Sequence, residues 1–338
     1  EKAWEEAEHR LEGTFHCNGQ EHFYLESQAG LVVPGEEDQL HVHSSTQNTS
    51  EIQQVVAEAL NLGFHQVVAV CKRMGGGFGG KETQAAIPAV MASLVSYHLK
   101  RPARMVFTKD DDMKTTGNRH PFLIHYKSAF TSEGRITGLE VKLFSNGGAY
   151  ADLSTAIMER AMLHSDNAYF IPNVLIKGQV CRTNLPPNTA LRGFGGPQGM
   201  ANIENIMQEI AISLGKDAFE VRRLNCYGKY EQNVTPYGQK VHAHCLPEMM
   251  DRLAEKTDYQ KKLSEIEAFN KASKTHLRGI ALTPMKFGIS FTTTFLPPTT
   301  LRGSTTTVAV QIEPAGRAGG FEVTTVIGTF FLACAVFA

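Results

Sequence analysis

The chain lacks the features that mark several function classes. It has a single tryptophan, no block of basic residues and a formal net charge of -1 over 338 residues. A nucleic-acid surface or an electrostatic membrane patch needs a basic stripe, so neither is supported. Its six cysteines lie far apart, at 17, 71, 181, 226, 245 and 334, and none forms a CxxC pair. That excludes a zinc knuckle or a thioredoxin-type site. With 42% hydrophobic residues the chain can bury a core without a disulfide framework, and reduced thiols in a cytosolic protein are expected. The apolar C-terminal run "VTTVIGTFFLACAVFA" is only 16 residues long, short for a membrane span, and reads as a buried strand pair. The N-terminal "EKAWEEAEHRLEG" is charged and helical in character, neither a signal nor a transit peptide. It lacks an initiator Met, as a piece of a longer protein would.

What is there reads as a mixed α/β chain. "STQNTSEIQQVVAEALNLG" is a loop followed by a helix, with Ile52, Val55, Val56, Ala59 and Leu60 at helical spacing. Ser50 and Gln53 fit a capping box and Gly63 a C-terminal stop. "HQVVAVCKRM" reads as a buried strand, "KETQAAIPAVMASLVSYHLK" as a helix and "RPARMVFTKDDD" as another strand. Residues 122–150 are β-rich, with a turn at Ser132-Glu133-Gly134. Helices are expected over 153–165, carrying Arg160, and from about 198 to 214. Asp217 and Glu220 have capping-box spacing before another helix. Residues 247–273 are polar and helical, and "LRGIALTPMKFGISFTTTF" opens a new β region. No solenoid repeat occurs; the one internal echo is GFGG, at 77–80 and 193–196.

"RMGGGFGGKE", residues 73–82, sets five glycines around Phe78. Glycine costs conformational entropy, so the stretch implies backbone amides brought close to something. Gly75, Gly77 and Gly80 match G-x-G-x-x-G, which keeps a dinucleotide-binding module open. The acidic residue expected about 20 positions on is missing; the nearest acids are Asp110 to Asp112. Both GFGG strings place a Phe, Phe78 or Phe194, among glycines before a helix. Free amides there favour oxyanions or metal-oxo groups, and a flanking ring can pack on a flat ligand. "VHAHC", His242 to Cys245, has too few spaced ligands for a metal site.

Seven strings, in order, resemble the molybdenum-cofactor region of the xanthine dehydrogenase family of molybdenum hydroxylases. They are "STQNT", "RMGGGFGGKET", "GNRHPF", "DLSTAIMERAMLH", "TNLPPNTALRGFGGPQG", "VRRLN" and "TPMKFGISFT". The resemblance spans about residues 18–296 and implies an α+β cofactor-binding domain over 18–228. Residues 1–17 would be a linker or edge, 229–275 a helical connection, and 276–338 the incomplete start of a second cofactor domain, divergent after about 297.

It further implies a molybdenum–molybdopterin centre held by hydrogen bonds rather than by protein ligands. Gln47, Gly77, Phe78, Gly79 and Arg192 match cofactor-contacting positions, with Gln47, Phe78 and Arg192 closest to the metal. Glu82, Arg160, Phe194, Phe291 and Thr292 match substrate-contacting positions. Glu82 and Arg160 together favour a purine, xanthine or hypoxanthine, over an aldehyde. From sequence alone, Glu82 also reads as a first-turn helix carboxylate and Arg160 as a surface charge partner. The implied reaction hydroxylates an electron-poor ring carbon with oxygen from water. Electrons leave through 2Fe-2S clusters and FAD to NAD or oxygen, on segments absent here. A homodimeric, cytoplasmic or peroxisomal enzyme of purine catabolism is implied.

Three departures matter. The family's catalytic glutamate lies beyond residue 338, so the chain alone is expected to be inactive, or to act as an interaction fragment of the full-length enzyme. Glu51 stands where the family often carries a basic residue, and Leu191 where it carries a bulkier Phe. Neither Glu313 nor Glu322 sits in a context suited to a general base.

Overall fold

A computed structural model describes residues 2–228, 232–241 and 245–287, and the backbone of two further strands, 308–314 and 321–323. The strands are β1 (His9–Cys17), β2 (Ala29–Pro34), β3 (Leu40–Ser44), β4 (Val67–Val70), β5 (Ala103–Val106), β6 (Phe122–Phe130), β7 (Ile136–Gly148), β8 (Val174–Arg182), β9 (Val308–Pro314) and β10 (Phe321–Val323). The helices are α1 (Lys2–Glu5), α2 (Thr49–Leu60), α3 (Ala86–Leu99), α4 (Lys109–Thr115), α5 (Ser154–Leu163), α6 (Gly196–Leu214), α7 (Ala218–Asn225), α8 (Leu246–Lys256) and α9 (Tyr259–Ala272).

The strands form two sheets, ordered β1-β6-β7-β8-β9-β10 and β4-β3-β2-β5. In the larger sheet, apolar residues at period two turn one face inward. Ile124, Val141, Leu143 and Ile176 there meet Met158 and Met162 of α5 and Ile203, Ile206, Met207 and Ile210 of α6. In the smaller sheet Val32 and Val42 pack on Ile52 and Val56 of α2 and Ala89 of α3. β7 and β8 are parallel, so the chain needs a crossover, and α5 lies in it. Gly178 of β8 lets α5 approach: a Cβ there would lie 2.6 Å from the sulfurs of both Met158 and Met162. That contact fixes the depth of α5 and of its Arg160.

Several local expectations change. The cap of α2 is Asn48, whose side chain accepts from the Glu51 amide at 3.2 Å and donates to the Glu51 carboxylate at 3.0 Å. Ser50 is already helical, so the Ser50–Gln53 box does not form. The helix stops at Asn61 in the left-handed region, φ 53°, two residues before Gly63, which opens a 3-10 turn over Phe64–Gln66. β4 is an edge strand with only Val67 buried, not a buried one, because β3 covers one side alone. Asp217 caps α7 through the Phe219 amide at 3.0 Å. The polar stretch 247–273 is two helices broken at Asp258, φ 50°, and it contributes Met250 and Tyr259 to the main core. Residues 277–286 form no strand. Apart from Val323 in β10, the apolar tail lies outside the described residues.

The relocated cap makes a testable difference. Asn48→Ala should lower stability by about 1 kcal/mol, read by urea denaturation, whereas Ser50→Ala should stay within about 0.5 kcal/mol.

Candidate functional site

The two glycine loops meet. In the first, Gly76, Phe78 and Gly79 have φ of 92°, 52° and 100°; in the second, Gly193, Phe194 and Gly195 have 95°, 51° and 95°. Glycine adopts such angles freely, but a phenylalanine there is strained by ~1–3 kcal/mol. The strain is held by bonds between the loops. The Arg192 amide donates to Phe78 O at 2.9 Å, and Arg119 donates to Arg192 O at 3.0 Å. Gly79 packs so near Ala190 that a Cβ would come 2.6 Å from its carbonyl oxygen. His22 Nε2 lies 2.6 Å from the same oxygen, and its ring fills the space over Gly80.

Gln47 holds the first loop from the other side. Its Oε1 accepts from the Gly79 amide at 2.8 Å, and its own amide donates to Lys81 O at 2.8 Å. Gly77 leaves room for this: a Cβ there would sit 2.5 Å from Oε1. With Oε1 committed, Nε2 is the arm left to donate elsewhere. Among the described residues no acceptor takes the Phe78 N–H, and the residue is 51% exposed. Lys81 anchors the loop's end beneath. Its side chain is 0% exposed, with Nζ donating to Ser45 at 2.8 Å and to Glu26 at 3.2 Å, 4.7 Å from the Tyr24 ring centroid. Glu26 also accepts from the Gly75 amide at 2.7 Å.

Glu82 follows Lys81 directly but lies four positions before the start of α3 at Ala86, so the first-turn reading fails. The buried Lys81 and the Gln47 bonds keep this backbone in turns. Burial raises the Glu82 carboxyl above its ordinary 4.5, and Asp152 raises it further. Glu51 is raised by burial, then by Asp152 and Glu82, so three carboxylates share one neighbourhood. Arg160 is 7% exposed, which rules out a surface ion-pair role. Gly195 seats the second loop on α5, since a side chain there would strike Ile157 O. That contact brings Phe194 to 5.7 Å, ring centroid to Arg160 Cζ.

Gln47, Gly77, Phe78, Gly79 and Arg192 are thus joined directly, Glu82 adjoins them through Lys81, and Arg160 and Phe194 adjoin through the second loop. Phe291, Thr292 and His242 lie outside the described residues. Sequence reasoning missed Lys81, Asp152, Arg119 and Phe287; "GGKE" and "MKFG" held a signal only in a lysine beside glycines and a ring beside a lysine. The described residues contain no group of three or more His, Cys, Asp or Glu placed to hold a metal. The first loop departs from the dinucleotide pattern: fifteen residues separate the end of β4 at Val70 from the start of α3 at Ala86, and five of them follow Gly80, so the loop does not open directly into a helix N-terminus.

A family model described as the molybdopterin cofactor-binding domain matches residues 1–226. The xanthine dehydrogenase of Dictyostelium discoideum is 46% identical over 292 residues, 86% of this chain and 21% of that protein. The xanthine dehydrogenase/oxidase of Mus musculus is 46% identical over 296 residues, 87% and 22%. The chain therefore spans about a fifth of the length of these curated relatives. Aldehyde oxidoreductase from Desulfovibrio gigas superposes with a TM-score of 0.71 at 27% identity, over 81% of this chain and 29% of that one. The reconstituted CO dehydrogenase from Oligotropha carboxidovorans shares the fold, TM-score 0.70 at 19% identity, over 80% and 34%.

The raised Glu82 carboxyl gives a pH signature. A carboxyl that holds its proton more tightly when folded costs stability as pH rises from 4.5 towards its folded value. Glu82→Gln should match wild type near pH 4 and become relatively more stable as pH rises to 7, measured by urea denaturation at several pH values.

Proposed function

The chain belongs to the molybdopterin cofactor-binding domain family, and from that premise we propose that its two glycine loops cradle a molybdopterin while Glu82 and Arg160 recognise a purine. The observation that carries this reading is the single junction of Gln47, Gly79, Phe78 and Arg192, with Arg160 alongside.

The donor set fits such a cofactor. Gln47 Nε2 and the Phe78 N–H can donate to it, and the described residues contain no group of three or more His, Cys, Asp or Glu placed to bind its metal directly. Gln47, Gly77, Phe78, Gly79 and Arg192 would hold the group, with Gln47, Phe78 and Arg192 nearest its metal. When bound, it supplies an oxygen atom for ring hydroxylation and accepts the electrons removed.

This chain's residues orient the guest. Arg160, desolvated and cationic, suits a ring oxygen that gains negative charge, as a preorganised cation does. Glu82, its proton held more tightly than usual, can donate to a ring nitrogen or accept from one. The Phe194 ring, with Phe291 and Thr292 from the segment outside the described residues, would bracket a flat heterocycle. Hydroxylation of xanthine or hypoxanthine in purine catabolism is the activity proposed for the whole protein. So are electron transfer through 2Fe-2S, FAD and NAD, a homodimeric state and a cytoplasmic or peroxisomal location.

The test is expression in cells that make the cofactor, with molybdenum and pterin assayed on the purified chain and xanthine titrated by calorimetry. We expect both groups to copurify with the chain. Xanthine affinity should fall ~10–100-fold in Glu82→Ala/Arg160→Ala, the loss of one or two charge-assisted hydrogen bonds. A chain free of molybdenum and pterin that binds NAD instead would overturn the reading.

A further inference from the structure

The most buried ion pair among the described residues joins Asp166 and Lys286, whose side chains are 1% and 3% exposed. Lys286 Nζ lies 2.5 Å from both carboxylate oxygens, and the Tyr227 hydroxyl donates to Oδ2 at 2.5 Å. The ammonium also sits 5.0 Å from the Tyr237 ring centroid. A buried pair is weak evidence for stability, since well-packed apolar residues of similar volume often serve as well. Its role here is geometric. Asp166 stands in the turn after α5, and Lys286 belongs to an irregular segment far along the chain. The same turn takes that segment twice more: the Lys286 amide donates to Asn167 Oδ1 at 3.0 Å, and Asn167 Nδ2 donates to Pro284 O at 2.9 Å.

The next residue is Phe287. Its ring centroid lies 5.7 Å from that of His164 and 5.5 Å from Arg160 Cζ. Phe194 approaches the same guanidinium at 5.7 Å, so two rings from distant segments meet one cation. Burial lowers the His164 pKa to about 3, helped by Lys286 and Arg160, so this neighbour stays neutral and leaves the charge at Arg160.

We propose that Asp166, Lys286 and Phe287 form a positioning clasp: the ion pair docks the 284–287 segment on the end of α5, and Phe287, with Phe194, holds the Arg160 guanidinium in one orientation for a flat, oxygen-bearing ligand. The ligand part rests on the reading that Arg160 contacts the substrate; the clasp itself does not. An unheld arginine samples many rotamers, whereas ring faces fix the plane of the guanidinium as well as its charge.

The experiment is NMR of the full chain with labelled arginine, reading solvent exchange of the Nε–H groups. Arg160→Lys assigns the Arg160 signal. Arg222, buried and paired with Glu204 at 2.6 Å, is the internal control for folding. Phe287→Leu keeps the bulk and removes the ring face; Asp166→Asn/Lys286→Met removes both charges together and leaves none stranded. In both variants Arg160 exchange should rise roughly 3–30-fold, the factor set by one lost cation–π contact, with Arg222 unchanged. Unchanged Arg160 exchange, or an equal rise at Arg222, overturns the proposal. Xanthine titration of the same samples separates the two readings. If wild type does not bind xanthine but Arg160 exchange responds, the clasp stands and the purine reading falls. If xanthine binds and Arg160 exchange is indifferent, the clasp falls alone.

Discussion

The site depends on the grip of Gln47 on the first glycine loop. One residue uses its backbone amide on Lys81 O and its side-chain oxygen on the Gly79 amide, each at 2.8 Å. Such bonds contribute ~0.5–1.5 kcal/mol apiece, comparable to the strain of one phenylalanine held at positive φ. That balance lets Phe78 keep a left-handed backbone, exposes its amide and ring, and orients its carbonyl towards the Arg192 amide. The grip acts with the Arg192–Phe78 bond and the buried Lys81 to select this shape from the many that glycine allows.

The side of the site that carries Arg160 is built by a different constraint, the close approach of backbones that only glycine permits. Gly178 admits α5 to the larger sheet, and Gly195 and Gly199 seat the second loop and α6 on the backbone of α5. Arg160 is carried inward by that packing. Burial alone lowers its proton affinity. A desolvated cation beside aromatic rings gains strength against any developing negative charge, because water no longer screens it. The carboxylates Glu51, Glu82 and Asp152 lie close enough that, beyond burial, Asp152 raises the proton affinity of the other two, so the site combines a buried cation with a carboxylate cluster.

Much of this was legible in the sequence. The echo of GFGG marked two equivalent loops, and the structure gives both central phenylalanines nearly equal φ. The helices expected over 153–165 and from about 198 to 214 form as Ser154–Leu163 and Gly196–Leu214. What failed was local chemistry that competes over short distances. Asn48 displaced Ser50 as the cap because its amide bonds both the Glu51 amide and its carboxylate. Glu82 was assigned to a helix that starts only at Ala86, because tertiary bonds to Gln47 hold the intervening backbone in turns. The buried Lys81 and the Asp166–Lys286 pair were invisible, since a lysine in a sequence reads as surface until its partners, 55 and 120 residues away, are known.

The central claim is that Gln47 acts across both loops. Amide hydrogen exchange at Arg192 measures it most directly, because that amide belongs to the second loop and touches only Phe78 O of the first. In Gln47→Ala, Arg192 protection should fall roughly 5–10-fold, the value of about one hydrogen bond, while the amides of Ile124 and Val141 in the larger sheet stay as protected as in wild type. Arg192 exchange unchanged by that substitution would contradict the account.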